Sequence, residues 1–141
     1  MYKHTQVGWI ILIAITPVIM VLGFRSVVAP AQPIAFTALG LLIVILLFGS
    51  LTVTADNREV SLYFGPGLIR KRFSLSEIGS ISRVRNPWYC GWGIRWFGKG
   101  WLYNVSGLEA IELRLKNGKY IRIGTDEPER LQQFLSSRIK F

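Results

Sequence analysis

Carboxylates, cysteine and histidine are all scarce in this chain. Eight acidic residues stand against seventeen Lys and Arg in 141 residues, with one cysteine, Cys90, and one histidine, His4. A single cysteine excludes an internal disulfide and any zinc site built on cysteines. His4 lies ahead of the first apolar run, far in sequence from Cys90 and from the carboxylates, so no nucleophile, base and orienting group fall together as a hydrolase requires. Charge is also missing from residues 7–24 and 26–55, two runs parted only by Arg25. With no ionisable group inside either run there is no proton relay or ion path, which disfavours a transporter.

What these two runs do contain is length. A membrane-spanning helix needs about 20 mostly apolar residues, since each rises about 1.5 Å through about 30 Å of hydrocarbon. The sequence therefore predicts a two-helix transmembrane hairpin over residues 1–50, with spans near 7–24 and 34–51 and an outer turn at 25–33. Pro17 predicts a bend in the first helix. Ala35, Ala38 and Gly40 form a small-residue stripe on the second, as apt for filler as for a helix contact. Lys and Arg near the span ends are denser after the second run, at Arg58, Arg70, Lys71 and Arg72. The positive-inside rule then places both termini in the cytoplasm at the inner membrane, with Arg25 dissenting. The alternative is a cleaved signal peptide using Ala29 and Ala31, although the apolar stretch exceeds the usual 7 to 15 or so residues.

Residues 51–141 hold fifteen of the seventeen basic residues and all eight acidic ones, a balance of +7. They suffice for one compact basic domain beside a bilayer. Period-two alternation predicts strands at 51–55, 60–64, 68–74, 78–85, 108–115 and 119–124, with turns at Asp56-Asn57 and Gly65-Pro66-Gly67. A three-residue loop ending at Gly118 would set Leu113 opposite Ile121 and Ile111 opposite Ile123, with Gly118 left-handed, whereas a two-residue turn would set Leu113 opposite Arg122. Thr125 or Asp126 is expected to cap a final helix. Its apolar face carries Leu131, Phe134, Leu135 and Ile139, and Arg138 and Lys140 suit its C-terminal dipole.

The run GWGIRWFGKGWLYNVSGLEAIELRLKNGKYIRIGTDEPERLQQFL at 91–135 carries a GxGxR strand, a Gly-closed hairpin and an IGTDxPxxL helix start. Together with the membrane hairpin it resembles small bacterial membrane proteins with a pleckstrin-homology-like domain. That likeness implies a mainly β fold with terminal α: an antiparallel roll of about seven strands capped by an amphipathic helix. It implies binding or assembly rather than catalysis. It does not carry over an inositol-phosphate pocket, because the first domain turn, Asp56-Asn57-Arg58-Glu59, is nearly neutral.

Four of the five Trp fall within residues 83–103. Trp88, Tyr89 and Trp92, with Arg85, Arg95 and Lys99, are the candidate membrane or partner contacts, since aromatic rings and cations suit the headgroup region. The competing reading is that these rings fill a small core. Arg70, Lys71 and Arg72 form a second basic cluster, either a lipid contact or a solvated strand edge. Basic and aromatic residues together also suit single-stranded nucleic acid, but no RNA-binding motif accompanies them and nucleic acid is not an expected partner. Asn104-Val105-Ser106 is a sequon that a cytoplasmic location makes inert.

The sequence thus predicts a non-catalytic binding or scaffold module, with no cofactor and no metal site. Its expected partners are the lipid bilayer, another membrane or cytoplasmic protein, and a second copy of the chain. The alternative is an accessory subunit that pairs with a larger complex through its helices.

Overall fold

The computed structural model describes residues 1–29 and 32–139. In chain order the elements are β1 (Tyr2–Val7), α1 (Trp9–Val28), α2 (Gln32–Phe48), β2 (Ser50–Ala55), β3 (Glu59–Phe64), β4 (Ile69–Ser74), β5 (Ile78–Arg85), β6 (Gly93–Trp96), β7 (Gly100–Asn104), β8 (Glu109–Leu115), β9 (Tyr120–Gly124) and α3 (Pro128–Arg138). The class is mainly β with helices toward the ends. Nine strands form among the described residues, where about seven were expected.

The element missing from the expectation is β1. It pairs antiparallel with β2, Tyr2 opposite Ala55 and Val7 opposite Ser50, and the Gly8 N–H donates to Gly49 O at 2.8 Å. Helices α1 and α2 are therefore an insertion into the turn of a β-hairpin. The first strand escaped detection because its three inward positions are Tyr2, His4 and Gln6, polar-tipped side chains whose partners are distant in sequence. Gln6 Nε2 donates to Ser106 O at 2.9 Å, and His4 Nε2 lies 2.5 Å from Asp126 Oδ1.

This pairing moves the helix limits. Val7 belongs to β1, so α1 begins at Trp9, and it runs through Pro17 to Val28. Arg25 falls in the last turn of α1 rather than in the connection. There the carbonyl end of the helix favours a cation, and a long stem lets the guanidinium leave apolar surroundings. Helix α2 has 17 residues and ends at Phe48, because Leu51 is wholly buried opposite Phe64 in the core. Thr37 Oγ1 donates back to Pro33 O at 2.8 Å, which disposes of its polarity within the helix. A Cβ added at Gly40 would meet nothing within 4 Å, so α1 does not pack against that part of the small-residue stripe. Ala31 and Lys140 lie outside the described residues, and with them the second small residue of the candidate cleavage site and the last cation expected near the C-terminal helix end.

One sheet has the order β1-β2-β3-β4, the other β5-β8-β9-β7-β6. All neighbours are antiparallel except β7 and β9, which run parallel, a departure from the wholly antiparallel expectation. The β8–β9 hairpin takes the register that buries like with like, with Leu113 opposite Ile121 and Ile111 opposite Ile123. Leu115 N donates to Lys119 O at 2.8 Å across a three-residue loop, and Gly118 sits at φ +86°.

The core lies between the sheets, with Leu51, Leu62, Phe64, Ile111, Leu113 and Ile123 each 0 to 1 % exposed, so side chains from both layers meet there. Helix α3 adds Leu131 and Leu135 to it, and Ile139 follows just past the helix end. The capping position of α3 is Glu127 rather than Thr125 or Asp126. Thr125 Oγ1 instead accepts the Glu127 N–H at 3.0 Å, and Pro128 follows as the first helical residue, where its missing donor costs nothing.

Candidate functional site

The stretch from β5 to β7 is built by its turn residues. Pro87 fixes φ at −59°, Trp88–Cys90 form one turn of 3-10 helix with Cys90 N donating to Pro87 O at 3.0 Å, and Gly91 at φ +66° reverses the chain into β6. Both stems of this turn are tied to one loop. Asn86 N donates to Leu108 O at 2.7 Å, and Trp92 Nε1 donates to Gly107 O at 3.2 Å. That loop adjoins the helices, since a Cβ at Gly8 would lie 3.3 Å from Val105 Cβ and Trp9 lines a shared groove with Ser106, Gly107 and Leu108. The turn thus springs from the end of the roll nearest α1.

Trp88 and Tyr89 stand 77 % and 71 % exposed and meet edge to face at 6.1 Å. Trp92 differs from the expectation for a fully exposed contact: it is half-buried, and its indole hydrogen bond holds the turn to the roll. Of the rings in 83–103 only Tyr103 enters the core, so core filling does not account for the others. Arg85 and Arg95 are exposed near the turn, and Arg95 Nε donates to Trp92 O at 3.3 Å. Lys99, in the β6–β7 turn, shares with Tyr89, Cys90 and Arg95 a groove of about 370 Å³ on the outer face of the second sheet.

Arg122 floors that groove, a residue that sequence reasoning left as a register marker only. Its Nε donates to Glu112 Oε2 at 2.7 Å, an NH group donates to Asn86 Oδ1 at 3.2 Å, and the Phe97 ring lies 4.1 Å from its guanidinium carbon. The signal for it was present in β8 and β9. Once Leu113 faces Ile121, Glu112 and Arg122 must face each other on the other side of the sheet.

The second predicted cluster is elsewhere. Arg70, Lys71 and Arg72 are exposed on β4, the edge of the first sheet, with the Arg70 guanidinium 5.2 Å from the Tyr63 ring and Arg72 Nε 4.0 Å from Glu59. The structure does not bring Arg70 and Arg72 together with the Trp88 turn. At the β2–β3 turn, Asp56 Oδ1 accepts the N–H groups of Arg58 and Glu59 at 2.7 and 2.9 Å, which holds its carboxyl below the usual range. Those donors are consequently occupied by the chain's own carboxylate. Asn104 of the sequon is wholly buried, and its Nδ2 donates to Gly107 O.

His4 is not remote from the domain after all. It sits beside Asp126 and Glu127, separated from them in sequence by both apolar helices but against the start of α3 in space. Tyr2 is buried next to it, and desolvation first, then the Glu127 carboxylate, push its phenol up to about 12. Cys90 lies half-buried in the outer groove instead. Among the described residues no group of three or more His, Cys, Asp or Glu is placed to hold a metal ion.

Helix α1, with 20 residues, is long and apolar enough to cross a membrane, and none of its residues is buried. Helix α2 is apolar, shorter and likewise without a buried residue. No family model matches this sequence, and no curated protein matches it.

Proposed function

We propose that the chain is a membrane-anchored, non-catalytic binding module whose two apolar helices cross the bilayer as a hairpin and hold the basic roll against the cytoplasmic leaflet. The observation that carries this reading is the β1–β2 pairing. Strands that exchange hydrogen bonds lie on one side of a membrane, so the chain between Val7 and Ser50 crosses an even number of times. Two apolar helices fill that interval, and their side chains, such as Ile13, Met20, Phe24 and Phe36 at 67 to 70 % exposed, find no cover within the protein. Apolar surface of that extent calls for lipid or protein around it. Cleavage after the first helix would discard β1 and with it Tyr2, a core residue, which weighs against a signal peptide.

The position of Trp88 and Tyr89 supports an interfacial role for the turn, because it arises beside Gly107 at the helix end of the roll and exposes two rings among Arg85 and Arg95. Two packed sheets closed by a C-terminal helix support the pleckstrin-homology-like reading, from which the parallel β7–β9 pair departs. The test is depth. With Cys90→Ser and a fluorophore on Trp88→Cys in liposomes, a nitroxide at headgroup level is expected to quench strongly. Quenching by water-soluble iodide alone would overturn the interfacial placement.

A further inference from the structure

The free edge of β4 and the β6–β7 hairpin face each other across an opening into the sandwich, a cleft of about 480 Å³. Its apolar walls are Phe73, Trp96, Trp101, Tyr103, Leu115 and Ile121, with Trp96 and Trp101 packed edge to face at 5.5 Å. These two indoles remain 59 % and 44 % exposed, so they line the mouth rather than seal the core. Around the rim stand Lys71, Lys99 and Lys119, brought from three separate strands and turns. No carboxylate lines the cleft, and none of these three lysines has an ion-pair partner among the described residues.

From this we infer that the cleft binds a small amphiphilic anion, an aryl or acyl body bearing one carboxylate or sulfonate, with the body against the paired indoles and the apolar floor and the head among the lysines. The volume falls within the range of about 300 to 1,000 Å³ common to small-molecule sites. An apolar floor with a few convergent charges is the arrangement such sites use to fix orientation, and three unpaired cations select the sign. The ligand is drawn from water. Trp101 lies four residues back along β7 from Val105 at the helix end, roughly 13 Å at about 3.3 Å per residue, which sets the mouth back from the helices. The inference goes beyond the membrane reading and does not depend on the Trp88 turn.

Equilibrium dialysis of the full chain in zwitterionic nanodiscs, with empty discs subtracted, tests it with 2-naphthoate as probe and 2-naphthylmethylammonium as its cationic counterpart. Saturable uptake of one naphthoate per chain is expected, with the cation weaker by about tenfold or more. The Lys71→Gln/Lys99→Gln/Lys119→Gln variant is expected to lose about tenfold in affinity, and Trp101→Ala a comparable factor, each with unchanged circular dichroism. Should the triple variant not fold, Lys119→Gln alone, at the exposed end of the β8–β9 loop, is expected to lose about threefold. Equal binding of the two probes, uptake no greater than that of empty discs, or undiminished affinity in the folded variants would each overturn the proposal.

Discussion

Arg122 joins three partners that are far apart in sequence, and its side chain and that of Glu112 keep only 19 % and 15 % of their exposure. Removing one member of such a pair strands the other charge. Arg122→Met is expected to destabilise the protein by about 3 kcal/mol, the lower end of what breaking a buried pair costs, since both groups retain some solvent. Arg122→Met/Glu112→Leu is expected to recover most of that loss, as a paired apolar replacement removes the stranded charge. Thermal melts of the two variants decide it, and equal losses would sink the argument. Tyr2 makes a second case, in alkali. Its native phenol holds its proton more tightly than the unfolded one, so its contribution to stability is complete below about pH 10 and is lost as pH rises through about 12. Tyr103, raised by desolvation, contributes in the same direction. Tyr2→Phe is accordingly expected to lose less stability than the parent between those limits in denaturant titrations at stepped pH.

At the level of elements, the parallel pairing of β7 with β9 rests on one small residue. A Cβ at Gly100 would lie 1.7 Å from Tyr120 O, an overlap of backbone that no rotamer relieves. Gly100→Ala is expected to lower the melting temperature by several degrees, about what 1 to 3 kcal/mol does in a domain of this size. Gly93→Ala serves as the comparison, since it has a positive φ but open space around its Cβ and isolates backbone strain from collision. Most strands were legible in the sequence because their alternation coincides with burial. β3 carries Val60, Leu62 and Phe64 inward, and the β8–β9 register followed from matching Ile111 and Leu113 with Ile123 and Ile121. β1 was illegible for the opposite reason, since its inward side chains become buried only through partners a hundred or more residues away. The exposed Trp88 turn could be read from Pro87 and Gly91, whereas the indole bond of Trp92 to Gly107 depends on a loop fifteen residues on. The cleft was hidden for the same reason, its lysines being gathered from β4, the β6–β7 turn and the end of the β8–β9 loop.

For the whole molecule, the contact of His4 with Asp126 ties the beginning of the chain to the start of α3. If the helices cross as proposed, both ends lie on one face of the bilayer. Epitope tags appended at the two ends are expected to be digested together, from the cytoplasmic side of inverted vesicles and not from intact cells. Digestion of only one of them in either preparation would contradict the shared sheet. The joint between helices and roll is also close-packed: a Cβ at Gly65 would lie 2.1 Å from Leu46 O, and Phe48 meets Phe64 edge on at 5.5 Å. A fragment beginning at Leu51 would lack β1 and expose the flank of β2, so it is a poor stand-in for the native roll.

Because Val7 and Ser50 are already opposite one another, everything between them is, for the sheet, an oversized hairpin turn. Chain closure depends only weakly on how many residues bridge two paired strands. A tight Asn-Gly linker in place of α1 and α2 would join the strands in the geometry they now have and, if the helices lie in lipid as proposed, release the remaining protein as a detergent-free particle. The apolar helical segment is, in architectural terms, an exchangeable cassette.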